Sequence, residues 1–176
     1  KAGAMATVTQ PAPLVTGITI VRPACYGGST GSIDLTVTGG TPPYSYAWTA
    51  SGGGSVPGGQ AALQDLTSIK AGTYQVVVTD SKSCFNTNTY IVSQPAQLVA
   101  TATPIHISCS GGTTGGANLT VSGGTGPFGY DWRDGSNTQV GTSATLTGQP
   151  VGTYTVTVTD ANYCTVTATA TVTSPE

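Results

Sequence analysis

The sequence predicts an all-β protein made of two tandem sandwich units, and three observations carry that prediction. The 176-residue chain repeats itself, its strongest segments alternate apolar and polar residues at period two, and Gly and Pro break those segments at regular spacing.

The duplication comes first. "CYGGSTGSIDLTVTGGTPPYSYAW" (25–48) aligns with "CSGGTTGGANLTVSGGTGPFGYDW" (109–132) at an offset of 84. "GTYQVVVTD" (72–80) aligns with "GTYTVTVTD" (152–160) at an offset of 80, so the connection after each Trp is four residues shorter in the second copy. "TVTQPAPLV" (7–15) also matches "IVSQPAQLV" (91–99). Residues 6–10 therefore read as the tail of a preceding repeat, residues 11–95 as repeat 1 and residues 96–176 as repeat 2, and further copies are expected in the native protein. Residues 1–5, Lys1-Ala2-Gly3-Ala4-Met5, read as a cloning scar outside the fold.

Within each copy the strands follow from alternation. Tyr154, Val156 and Val158 face one way and Thr153, Thr155, Thr157 and Thr159 the other. Ile33, Leu35 and Val37 likewise oppose Ser32, Asp34, Thr36 and Thr38, while Tyr44, Tyr46 and Trp48 share a face, as do Phe128, Tyr130 and Trp132. The last strand of repeat 2 sets Val166, Ala168, Ala170 and Val172 against an unbroken Thr face. "TGGTPP" (38–43) and "SGGTGP" (122–127) supply turn residues between strands. Six or seven short strands in about 80 residues match an immunoglobulin-like β-sandwich, with the Trp of the third strand as core plug and Tyr74 and Tyr154 placed for a tyrosine corner. One segment conflicts with its neighbours: keeping register puts Asn86 and Asn88 inward and Phe85 and Ile91 outward. A bulge, or an edge strand whose Asn side chains bond backbone, resolves that conflict.

Composition narrows the function. Charged residues make only 7% of the chain, against roughly 25% in an ordinary soluble domain, so hydroxyls and backbone must solvate the surface. Five basic residues and a net charge of −2 do not suit a phosphate backbone, and nucleic acid is not expected as a partner. No apolar run approaches the roughly 18 residues of a membrane helix, so membrane insertion is not expected either.

Each copy holds two cysteines, one before its second strand and one at the start of its last. Among the three pairings four cysteines permit, matched position favours Cys25–Cys84 and Cys109–Cys164, one bond inside each unit. Such bonds imply an oxidising compartment. Free thiols and a metal site are the rivals, but these spacings lack the close pairs of zinc ligands, and His106 is the only histidine.

No catalytic, metal or cofactor site is expected. His106 has no Ser or Asp partner at a meaningful spacing, although a polar pocket joining it to Asp131 or Asp134 would reopen the question of catalysis. Asp80 and Asp160 recur after "VT" and suit an Asx-turn better than a calcium site, which needs six or more oxygens. "GGSTG" and "GGTTG" precede strands and lack Lys, so phosphate cradling fails on context. The "NLT" at Asn118 is a formal glycosylation sequon, and Lys70 and Lys82 have no counterpart in repeat 2 to support an isopeptide crosslink. Tyr26, Tyr90 and Tyr163 are candidates for stacking on sugars, but Ser110, Thr171 and Ser83 hold the matching positions in the other copy.

The order C-x-G-G-x-x-G-x-(I/A)-(D/N)-L-T-V-(T/S)-G-G-T-x-P-(Y/F)-x-Y-x-W, then (A/V)-G-T-Y-x-V-x-V-T-D-x-x-x-C, resembles the SprB repeat of large bacterial cell-surface gliding adhesins. The resemblance runs from Pro11 to Glu176. It implies secretion, display in long arrays on the bacterial cell surface, a role in adhesion or gliding motility, and β-sandwiches without enzymatic activity. This sequence departs from the pattern at Ser83 and Tyr163, where the family often has Gly, and at Asn118, which replaces the Asp of "GSIDL". The chain also resembles PKD-type modules in its P-Y-x-Y-x-W strand, but it lacks their W-D-F-G-D-G motif and they lack its cysteines. Expected partners are neighbouring repeats of the same chain, with surface polysaccharide as the alternative, and the chain is expected to be a monomer.

Overall fold

The computed structural model describes residues 10–109 and 112–175, so the expected cloning scar (1–5) and all but residue 10 of the expected preceding-repeat tail (6–10) lie outside the described residues. The chain divides into two compact units: one runs up to Pro23 and takes in Gly27–Gln94, and the other takes in Ala24–Tyr26 and everything from Pro95.

Unit 1 holds β1 (Val15–Val21), β2 (Gly31–Thr38), β3 (Ser45–Ser51), β4 (Leu66–Ile69), β5 (Gly72–Thr79) and β6 (Phe85–Val92). They form two antiparallel sheets, ordered β1-β2-β4 and β3-β5-β6. This is the division of an immunoglobulin sandwich, whose strands A, B and E face C, F and G. Unit 2 repeats it with β7 (Val99–Ile105), β8 (Gly115–Ser122), β9 (Gly129–Arg133), β11 (Thr145–Gln149), β12 (Gly152–Thr159) and β13 (Thr165–Val172). A short extra strand, β10 (Gln139–Gly141), extends its second sheet to β10-β9-β12-β13.

The alternating residues build the cores as their period requires. Ile33, Leu35, Trp48, Tyr74, Val76 and Val78 are buried in unit 1, and Trp132, Tyr154, Val156 and Val158 in unit 2. Each Trp plugs its sandwich and donates its indole N–H to a loop carbonyl, Leu63 or Ser143, at 3.0 Å in both cases. Those acceptors sit 80 apart while the tryptophans sit 84 apart, so the four-residue deletion lies between them and leaves the bond intact. Tyr74 and Tyr154 form tyrosine corners, their hydroxyls donating to the carbonyls of Lys70 at 2.8 Å and Pro150 at 3.0 Å. Outside, Thr faces Thr across β12 and β13, and Thr153 and Thr171 share a hydroxyl hydrogen bond at 3.2 Å.

The "GG" turns are as constrained as their repetition suggests. Gly39 and Gly123 have φ of 73° and 67°, and a Cβ on either would lie within 1.9 Å of the carbonyl oxygen of Pro13 or Gln97. The Asn86 conflict resolves without a bulge, because β6 pairs with β5 in continuous register from Phe85 to Val92. β6 is an edge strand. Asn86 donates to the Leu14 carbonyl at 2.7 Å, Asn88 donates to the Thr16 hydroxyl at 2.8 Å, and Phe85 and Ile91 face solvent.

Ser83 and Tyr163 occupy left-handed backbone, with φ of 66° and 63°. Left-handed backbone favours glycine, since a side chain there costs about 1–2 kcal/mol. Offsetting glycine's greater freedom in the unfolded chain, Ser83→Gly is expected to stabilise unit 1 by about 0.5–1 kcal/mol. Chemical denaturation checks this, and a loss of stability would show the turn to be unstrained.

Candidate functional site

Among the described residues no three His, Cys, Asp or Glu gather as metal ligands would, so the candidate site is built from the cysteines and the turns that hold them. Cys84 and Cys164 follow the β5–β6 and β12–β13 turns, which are organised by Asp80 and Asp160. The buried carboxylate of Asp80 accepts from the amides of Thr41 (2.9 Å), Lys82 (2.8 Å) and Cys84 (2.9 Å). Asp160 accepts from Thr125 (3.0 Å), Asn162 (2.8 Å) and Cys164 (2.9 Å). These are the Asx-turns anticipated from the recurring "VTD". Burial pushes both carboxyls up, but the amides outweigh it and hold both pKa values below the ordinary carboxylate value.

A depressed folded pKa contributes stability that is present above the unfolded value, about 3.9, and is lost as pH falls through the folded value. Thermal melts are therefore expected to hold level down to about pH 4 and drop below it. Asp160→Ala strands three amides and should lower the melting temperature of unit 2 at neutral pH by on the order of 10 °C. An unchanged melt would remove the turn from the stability argument.

The same hydrogen bonds locate the poles of each sandwich. Thr41 follows β2, so the far end of β2 lies at the β5–β6 turn beside Cys84. Cys25 precedes the near end of β2, and eight strand residues span about 26 Å. A disulfide needs Cα atoms within about 7 Å. The expected Cys25–Cys84 bond is therefore corrected: Cys84 and the corner that carries Cys25 lie at opposite ends of β2. Cys109–Cys164 fails for the same reason, with β8 between them and Thr125 bonded to Asp160.

The observed bridge is Cys25–Cys164, with a Cα–Cα distance of 5.7 Å, and Cys84 and Cys109 are unbonded and exposed. Chain direction accounts for it. Unit 1 ends at the pole of Cys25, where the Gln94 side chain accepts from the Gly27 amide at 2.7 Å. Unit 2 begins at the pole of Cys164, where the Ala96 carbonyl accepts from Gly124 beside Asp160. The tripeptide Ala24–Tyr26 accordingly belongs to unit 2 although Pro23 and Gly27 belong to unit 1. Asn162 holds it, donating to the Ala24 carbonyl at 3.2 Å and to the Thr125 hydroxyl at 3.1 Å.

Around the bridge unit 2 has an open groove of about 470 Å³ lined by Tyr26, Tyr163, Leu98 and Val166. Tyr26 and Tyr163 are 53% and 88% exposed, so two of the three candidate stacking rings meet here. Neither ring has an aromatic match in the other copy, because the groove takes one ring from each copy. Tyr90 is different: it is half-buried against Trp48, centroids 6.4 Å apart, and its hydroxyl bonds that of Thr16 at 3.0 Å.

The other candidates are placed apart. His106 bonds Thr173 through Nδ1, at 2.8 Å to the hydroxyl, and secures the end of β7. Asp131 accepts from Gln139 and pairs with Arg133, both at 2.8 Å, and these two donors hold its carboxyl below the usual range. Asp134 accepts from the amides of Ser136 and Thr138, both at 2.9 Å. Lys70, Lys82 and Asn118 are exposed. Among the described residues no group of three or more His, Cys, Asp or Glu is placed to hold a metal, and no helix is long and apolar enough to cross a membrane.

This is a tandem immunoglobulin-like repeat protein with a bridge between cysteines of successive copies. The SprB repeat family matches it twice, at residues 17–53 and 101–137, the same stretch of each copy. A decoration protein of Escherichia phage T5 is 42% identical over 62 residues, 31% of this chain and 35% of the phage protein. The chain thus spans about a third of that relative. Among solved structures, the eight N-terminal Ig domains of DSCAM align at 13% identity over 94% of this chain and 25% of that one, TM-score 0.43. The ectodomain of mouse nectin-like molecule 4 aligns at 16% identity over 94% and 65%, TM-score 0.37. A C-terminal intimin fragment, solved with the intimin-binding domain of its translocated receptor, aligns at 19% over 94% and 65%, TM-score 0.38.

Proposed function

We propose that this chain is a pair of non-catalytic structural repeats from the stalk of a large bacterial surface adhesin, exported to the cell surface and serving adhesion or gliding motility. The observation that carries this reading is the double match to the SprB repeat on a duplicated sandwich. The charge-poor, Thr-faced exterior and a disulfide between successive copies fit a spacer in an oxidising environment. Antibodies raised against the chain are expected to label intact cells of the source organism and to reduce their attachment. Labelling only after permeabilisation would overturn the surface assignment.

A second reading rests on the groove flanked by Tyr26 and Tyr163, whose exposed rings suit stacking on a polysaccharide. It requires saturable binding on a glycan array, lost in Tyr26→Ala/Tyr163→Ala. A pure spacer gives no such signal.

A further inference from the structure

We propose that Cys84 and Cys109 are the two halves of a second bridge of the same kind, each completed by another copy of the repeat. Cys84 takes a first-corner cysteine from the copy before it, and Cys109 bonds the last-turn cysteine of the copy after it. A laced array follows, in which every copy of the repeat is bonded to both neighbouring copies and has no bond between its own two cysteines. The inference stands on the observed bridge and the duplication, whatever the array adheres to.

Positional equivalence carries it. Cys109 is the counterpart of Cys25 at an offset of 84, and Cys84 is the counterpart of Cys164 at an offset of 80. Cys25 and Cys164 bond each other, so the free pair repeats a bonding combination that already exists in this molecule. The local frames are also preserved. Cys84 closes the same turn as Cys164: each amide donates to the Asp carboxylate four residues earlier at 2.9 Å, and each carbonyl accepts from that Asp amide at 2.9 Å. Lys82 stands where Asn162 holds the incoming Ala24 carbonyl, and it keeps a donor there. Cys25 and Cys164 are half-buried in their bridge, whereas Cys84 and Cys109 are exposed. Pairing inside one unit is excluded by the pole-to-pole separation already described, so each free thiol is at the pole where a neighbouring copy would join the chain.

The partner for a test is a second copy of this chain. The contact is head-to-tail, so it propagates instead of closing on a two-fold. With oxidised glutathione, the Cys84 and Cys109 thiols of two molecules give up two protons and two electrons to the small disulfide. One S–S bond forms between the chains, the glutathione S–S bond breaks, and two glutathione thiols leave.

The experiment mixes equal amounts of Cys84→Ser and Cys109→Ser proteins in a glutathione redox buffer. Dimers are then counted by non-reducing electrophoresis and peptide mass mapping. Both substitutions are at exposed positions, so both proteins keep the Cys25–Cys164 bridge. The expected result is a heterodimer linked Cys84–Cys109, at least tenfold above the two homodimers together, and a ladder of multimers from the unsubstituted chain. A statistical mixture with homodimers equal in sum to the heterodimer overturns the proposal, as does the absence of any linked dimer. A Cys84–Cys109 bond within the unsubstituted monomer overturns it too.

Discussion

Replacing Cys25 and Cys164 together with Ser is expected to lower the melting temperature of unit 2 by about 20 °C and to leave the unit 1 transition in place. The bridge closes a loop of 139 residues, but much of that loop is unit 1, which stays folded while unit 2 melts. The chain actually released is the stretch from Pro95 to Cys164, roughly 70 residues, and closing such a loop is worth about 4 kcal/mol in the chain-entropy model. For a unit of this size each kcal/mol moves the midpoint by about 4–8 °C. Two transitions, followed separately, are needed because a two-unit chain is not one two-state system. Cys84→Ser is the decisive control. It is expected to change neither transition, whereas a Cys25–Cys84 bond would make it as damaging to unit 1 as the loss of Cys25. A melt of the Cys25→Ser/Cys164→Ser protein that matches the unsubstituted one would remove the bridge from the stability of this protein.

The strands could be read from the sequence because they depend on local period: Val76, Val78, Val156 and Val158 are inside as alternation requires, and both tryptophans plug their cores. The tyrosine corners were equally legible, since the acceptor lies only four residues upstream. The cysteine pairing was not, because matched position says nothing about which end of a sandwich a residue occupies. The information was present in a less obvious form. In the predicted fold the corner after the first strand and the turn before the last lie at opposite poles, and the chain leaves each unit by the pole opposite the one where it begins. Tracing strand direction would have joined the exit of one copy to the start of the next. The groove was missed for a related reason: Tyr26 and Tyr163 are each unmatched in the other copy, and become partners only once Ala24–Tyr26 is assigned to unit 2. Tyr90 shares the face that register turns inward with Asn86 and Asn88, and the conflict those two polar residues raise on that face hid its burial.

Pulled from its ends, the oxidised chain is expected to extend about 490 Å less than the reduced chain. Tension entering through β1 reaches Cys25, crosses the sulfurs to Cys164 and leaves through β13, so the backbone between the two cysteines carries no load. That span is 139 residues, and each unfolded residue contributes about 3.5 Å of contour. β2 to β12 all lie within the shielded span. Only β1 and β13, which flank it, can be drawn out while the bridge holds. The expected intradomain bonds would behave differently, hiding two separate loops of 59 and 55 residues and leaving the joint between the units under load. The Cys84→Ser protein distinguishes them: with the observed bridge it keeps the full shortening of about 490 Å, because Cys25 and Cys164 are both still present. A shortening of only about 190 Å in the oxidised Cys84→Ser protein, the length of the 55-residue Cys109–Cys164 loop, would reveal one bond inside each copy, and would overturn both the force path and the laced array built on it.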